Sequence, residues 1–178
     1  VFQWNLRYPP AYDPPGFRTV PTDDWPDAGD GPTIVPGDYT VALQYGTTKL
    51  QAPLKLQLDP RVHPAAGELD ARLALEMQIR DTIDGLDRAI AAAMVARPHV
   101  VPTKRAQIDS EIGKLIQFNI HSTEADTSYE DLLRAQLGFL LNSLEGAYQA
   151  PTAAEYATFD TLKGLAAAGE ARLQALTR

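Results

Sequence analysis

Four carboxylates fall within nine residues at Asp23-Asp24-Trp25-Pro26-Asp27-Ala28-Gly29-Asp30-Gly31. Crowded carboxylate oxygens bind calcium, often weakly in extracellular modules. The spacing of Asp23, Asp24, Asp27 and Asp30 departs from the D-x-[DN]-x-[DN]-G order of a helix-flanked calcium loop. A solvated acidic loop is therefore the simpler reading. Calcium is the one ion this loop could hold, and no other cofactor is expected. Aromatic rings share the stretch: Tyr12, Phe17 and Trp25, with Tyr8 beside them. A ring offers a flat apolar face with a polar edge, which suits a sugar or a peptide. The competing role is a hydrophobic plug that folds the loop back onto the chain.

Other chemistry finds no foothold. His63, His99 and His121 stand far apart, with no H-E-x-x-H run to place two imidazoles on one helix face. There is no G-x-S-x-G, no glycine-rich phosphate loop and no Asn-x-Ser/Thr sequon. Any two of the 23 acids could be nominated as a glycosidase pair, and without geometry none can be singled out. No catalytic residue is assigned, and the chain is expected not to be an enzyme.

These residues must be positioned by 178 residues carrying 16 basic and 23 acidic side chains, a formal charge of −7. An acidic chain lacks the basic stripe that nucleic acid requires. The absence of cysteine removes disulfides, thiol catalysis and thiolate metal sites, and leaves the redox compartment open. No apolar run approaches the ~18 residues of a membrane span. The chain opens on Val1 without a basic-then-apolar leader, and the expectation is a piece of a longer polypeptide.

Proline divides the sequence. Eleven of the 14 prolines lie at or before Pro64, and only Pro98, Pro102 and Pro151 follow. Proline lacks an amide hydrogen and is excluded from helix interiors, so residues 1–62 read as short strands in loops and 65–178 as helices. Tyr39, Val41, Leu43 and Tyr45 alternate along one run, and Leu50, Ala52, Leu54, Leu56 and Leu58 along the next, with Gly46-Thr47-Thr48 between them. That pattern predicts a β-hairpin with one buried face. Phe2-Gln3-Trp4-Asn5-Leu6-Arg7-Tyr8 is a third strand candidate, with Trp4 expected in the core. Residues 9–35 form a long Pro- and Asp-rich loop, of a length that is usually functional or packed on itself.

The helical half reads as about four helices. Leu69, Leu73, Met77, Ile83, Leu86, Ile90 and Met94 mark an element of about 45 Å from Gly67 to about Arg97. Thr103 is positioned to cap a second helix carrying Ile108, Ile112, Leu115 and Ile116. Ser128-Tyr129-Glu130-Asp131 opens a third, with Leu133, Leu137, Leu140, Leu141, Leu144 and Tyr148 inward. Thr152-Ala153-Ala154-Glu155 is a capping box for a fourth. There Tyr156, Phe159, Leu162, Ala166, Gly169, Leu173 and Leu176 form a heptad seam that could also join two copies of the chain. The expected class is α+β: a small antiparallel sheet, immunoglobulin-like and incomplete, followed by an antiparallel up-down helical bundle.

Particular residues carry a family likeness. Trp4-Asn5-Leu6-Arg7-Tyr8-Pro9, Gly31-Pro32, Val35-Pro36-Gly37-Asp38-Tyr39-Thr40-Val41, Gln51-Ala52-Pro53-Leu54 and Leu58-Asp59-Pro60-Arg61 resemble the carboxy-terminal region of bacterial sortilin-like, BNR-repeat β-propeller proteins of the glycosyl-hydrolase-like kind. The likeness covers residues 1–62 closely and 65–178 loosely. It implies a periplasmic or extracellular protein in which a propeller precedes an immunoglobulin-like domain of the flagellar hook-cap type. It also implies that the chain docks on that propeller, and that any catalysis belongs to the propeller. The family has Asp where this chain has Asn5, and a tighter loop where this chain has the Pro10–Pro32 insertion, so no ligand role for that loop is inherited. The resulting expectation is a non-catalytic accessory region mediating docking or assembly. The alternative is a glycan- or peptide-binding module built on loop 8–31.

Overall fold

The structure, a computed structural model, describes residues 4–16, 31–117 and 132–178. Strands β1 (Gly37–Tyr45) and β2 (Thr48–Leu56) pair antiparallel as a two-stranded sheet. Four described helices follow: α1 (Glu68–Ala96), α2 (Pro102–Leu115), α3 (Leu133–Glu145) and α4 (Ala153–Thr177), with a single 3₁₀ turn at Arg97–His99. The fold is α+β.

The helices exist because their apolar residues bury one another. Helix α1 packs on α3 and α4, and α2 packs on α4. Ile79, Ile83, Leu86 and Ile90 of α1 meet Ile108, Leu115, Leu137, Leu141, Leu144, Phe159, Leu162, Ala166 and Leu173 in one core. The seam of α4 is thus consumed inside the chain, with Tyr156 and Leu176 at its less buried ends. Thr152 and Glu155 close their capping box as expected: each accepts from the backbone amide of the other. Gly169 explains itself, since a Cβ there would stand 2.8 Å from Leu115 Cδ2.

Several expectations are corrected. In the first half of α1 the buried stripe is turned by about one residue. Arg72, Leu75, Glu76 and Ile79 face inward, while Leu69, Leu73 and Met77 are only half-buried. The ion pair between Arg72 and Glu76 lets charged residues take those inward positions. Helix α2 begins at Pro102 with Val101, not Thr103, as its N-cap; proline at the first helical position gives up an amide that would have no partner there. Tyr148 lies beyond the end of α3 and is exposed. The expected opening of the third helix at Ser128–Asp131 lies outside the described residues.

The hairpin differs most. Its two strands form, although β2 starts at Thr48 and ends at Leu56, short of Leu58, and the turn is tight: Gly46 takes φ +57° and Thr47 does not, the sign pattern of a two-residue II′ turn. The register places Tyr39 opposite Leu54, Val41 opposite Ala52 and Leu43 opposite Leu50, so both apolar rows share one face. Tyr39, Leu54 and Leu56 at one end of that face are half-buried, but toward the turn it is exposed. Val41 is 49 % exposed, Leu43 63 %, Leu50 60 % and Tyr45 85 %. The described helices satisfy their stripes against each other and, among the described residues, leave no layer for the turn end of the sheet. Trp4, expected in the core, is 39 % exposed. Of the third strand candidate, Trp4–Tyr8 makes no strand but only a single bridge, Arg7 to Thr33, flanked by the Tyr8–Pro32 and Ile34–Leu6 backbone bonds. Leu6 sits at φ +61°, a left-handed conformation that breaks a strand's alternation.

Candidate functional site

The N-terminal segment lies against the bundle, and charge holds it there. Ala11 is part of the helical core, and Ile34 is buried. Arg7, just after the left-handed Leu6, donates from Nη1 to Glu145 Oε1 at 2.6 Å and to the Gly31 carbonyl at 2.9 Å. The Thr33 backbone amide donates to the same carboxylate oxygen at 3.2 Å. Glu145 occupies the last turn of α3, where the helix dipole disfavours a negative charge, and Arg7 supplies the compensating cation.

A second clamp lies farther along α1. The Arg134 guanidinium of α3 donates from Nε to both oxygens of the fully buried Asp87, at 2.8 and 3.0 Å, and from Nη2 to Asp13 at 2.8 Å. Burial pushes the Asp87 carboxyl up to about 7, with Arg134 pulling the other way. Beside it, Tyr12 donates its backbone amide to Asp84 at 2.9 Å, and Arg88 stands 4.8 Å from the Tyr12 ring centroid. The Arg88 side chain hydrogen-bonds Asp84 and holds its carboxyl below the usual range. The two are an i,i+4 pair on the face of α1. Glu76 pairs backward with Arg72 at 3.2 Å rather than forward with Arg80, and Arg72 Nη1 donates to the Ala147 carbonyl. Neither oxygen of the Glu76 carboxylate accepts a hydrogen bond among the described residues. Its burial pushes its pKa up to about 7; Arg72 opposes the rise and Glu145 adds to it.

Besides Tyr8, the only one of the aromatic and acidic candidates within the described residues is Tyr12. Its ring is half-buried under Arg88, an anchor on α1. Phe17, Trp25, Asp23, Asp24, Asp27 and Asp30 lie outside the described residues. Among the described residues no group of three or more His, Asp or Glu side chains is placed to hold a metal ion. His63 and His99 are exposed, in keeping with their positions at element boundaries.

No family model, curated protein or solved structure matches the chain. What the chain does must therefore be read from its own surfaces.

The two carboxyls lifted to about 7, Glu76 and Asp87, have the proton affinity of a general acid. Their placement does not suit that work. Eleven positions apart on one helix, they are separated by ~16 Å, well beyond the ~5–9.5 Å that glycoside hydrolysis requires. Both face cations of the chain itself. A groove of about 510 Å³ between α2 and α4 is open to solvent. The Glu111 carboxylate there is engaged by Arg172 at 2.5 Å and by Lys114 at 3.4 Å. Motif and spacing do not single out Arg7, Asp13, Glu76, Asp87, Arg134 or Glu145. Two of them do carry a signal: Glu76 and Asp87 fall in step with Ile79, Ile83 and Ile90, at core positions of a helical stripe.

No described helix is long and apolar enough to cross a membrane. The charged belt is internal cement, and the surface still to be accounted for is the apolar face of the hairpin.

Proposed function

We propose that this chain is a non-catalytic accessory region of a larger secreted β-propeller protein of the glycosyl-hydrolase-like kind. The hairpin serves as the closing pair of an immunoglobulin-like sandwich, and the bundle is the scaffold that docks it or assembles it with the rest. One observation carries the reading: the bare face formed by Val41, Leu43, Tyr45 and Leu50 on a hairpin whose other features are fully specified. Apolar area left in water forgoes ~25 cal/mol per Å², and a lone two-stranded hairpin is marginal in water. A face so patterned is made to be covered by a second layer. The likeness of Trp4–Pro9 and Val35–Val41 to the propeller-associated domain supplies the candidate for that layer. The clamps at Glu145 and Asp87 support the structural role, because they commit the chain's buried charges to holding itself together.

The test is Leu43→Asp in two settings. In this chain alone the substitution touches an exposed side chain and costs less than about 1 kcal/mol. In the polypeptide encoded by the intact reading frame, a carboxylate would enter a covered face, and thermal unfolding falls by several degrees. Equal, small effects in both settings would remove the reading.

A further inference from the structure

We propose that the outer edge of β1 is a pairing site for a second copy of this chain, joined antiparallel about a two-fold axis at Val41. The proposal concerns the edge of the hairpin rather than its face, goes beyond the reading above, and stands without it.

The two edges of the hairpin are chemically unlike. The two-residue turn makes Tyr45 and Thr48 a hydrogen-bonded pair, and pairs alternate from there. The amides of Lys49, Gln51 and Lys55 therefore point outward from β2, and the fourth outward position is Pro53, which has no amide. Proline and lysine are what sheet proteins place on an edge that must stay unpaired. The outward row of β1 is Asp38, Thr40, Ala42 and Gln44: no proline, no lysine, one charge, and every residue exposed. A row of outward amides and carbonyls at strand spacing is satisfied by another extended backbone.

The β1 sequence is complementary to itself. Antiparallel pairing over its full length sets residues whose numbers sum to 82 opposite each other. Asp38 then meets the copy's Gln44, whose amide can donate to the carboxylate, and Thr40 meets Ala42. On the apolar face Tyr39 meets Leu43, Val41 meets Val41, and Tyr45 lies beside Gly37, where no side chain competes with its ring. No like charges are opposed, and all apolar residues fall on one side. The result is a four-stranded sheet whose outer strands are both β2. Pro53 and the two lysines stop further growth, so the assembly closes as a dimer instead of extending into a fibre. A pairing of nine residues per copy is far smaller than the ~1,200 Å² of a standard interface, so the association is weak and concentration-dependent.

The absence of cysteine allows a direct test. Val41→Cys places two thiols opposite each other at a non-hydrogen-bonded pair, with Cα atoms ~4.5 Å apart, inside disulfide range. Leu43→Cys, although more exposed, places its thiols on opposite sides of the axis four positions apart. Under mild oxidation Val41→Cys forms the covalent dimer at least about tenfold faster than Leu43→Cys. Adding Ala42→Pro, which removes an outward amide of β1, abolishes that advantage, whereas adding Gln51→Pro on β2 leaves it. Sedimentation of the unmodified chain up to millimolar concentration shows a growing dimer fraction, lost in Val41→Lys and kept in Leu50→Lys. Equal cross-linking of the two cysteine variants would overturn the proposal. So would a monomer at every concentration, or a dimer as sensitive to Gln51→Pro as to Ala42→Pro.

Discussion

Arg7 and Glu145 stand 138 positions apart in the chain and meet at 2.6 Å, most of both side chains covered. The pair joins the proline-rich N-terminal segment to the end of α3. Breaking one partner leaves the other charge under cover without its counter-ion. Arg7→Ala is expected to cost about 2 kcal/mol by urea unfolding, and Glu145→Ala a similar amount. Because both variants lose the same ion pair, the two losses in a double-mutant cycle should sum to more than the double variant shows.

Arg134 carries a larger share. Its Nε–H is shared between both oxygens of Asp87, a carboxyl with no exposed surface. Arg134→Met keeps most of the apolar stem and removes the charge. About 3–5 kcal/mol of stability is expected to go with it, and Asp87→Asn in the same chain should return part of that loss. If Arg134→Met unfolds at the same denaturant concentration as the parent chain, the clamp contributes nothing.

Glu76 sets a pH dependence of defined sign. Its carboxyl is lifted from 4.5 to about 7 by burial, so the folded chain holds this proton more tightly than the unfolded chain. Stability from this group is present below the unfolded value and is lost as pH rises toward about 7. Asp87, lifted for the same reason, acts in the same direction. Thermal unfolding should therefore move down between about pH 5 and 7. Glu76→Gln should flatten that slope and, by removing a buried charge, be the more stable chain at pH 8, by at most about 3 kcal/mol.

Three glycines inside helices should respond in opposite senses. At Gly113 and Gly164 a Cβ would meet nothing within 4 Å. Alanine at each should raise stability by about 0.5–1 kcal/mol through helix propensity alone. Gly169→Ala drives a methyl to 2.8 Å from the buried Leu115 side chain, and is expected to lose about 1 kcal/mol despite the same propensity gain. Chemical denaturation of the three variants separates the two cases.

What local chemistry dictates is legible in the order of the residues. Alternation over Tyr39–Tyr45 and Leu50–Leu56, with Gly46 to supply a positive φ, leaves little besides a hairpin. The Thr152–Glu155 box and the seam through Phe159, Leu162, Ala166, Gly169 and Leu173 state where α4 starts and which side it buries. The relationships between distant parts are decided only by the tertiary structure. Periodicity says that a face is apolar but not what covers it. Alternation alone thus predicts a buried hairpin face, whereas the helices fill one another's stripes and leave its turn end bare. A charge on an inward position looks like a solvated one until its counter-ion arrives, from position 134 for Asp87 and from position 7 for Glu145. Trp4–Tyr8 alternates like a strand, yet the single bridge to Thr33 and the Arg7 clamp hold it in another shape. Backbone preference acts over a few residues, whereas burial and ion pairing act between residues that only the folded chain brings together.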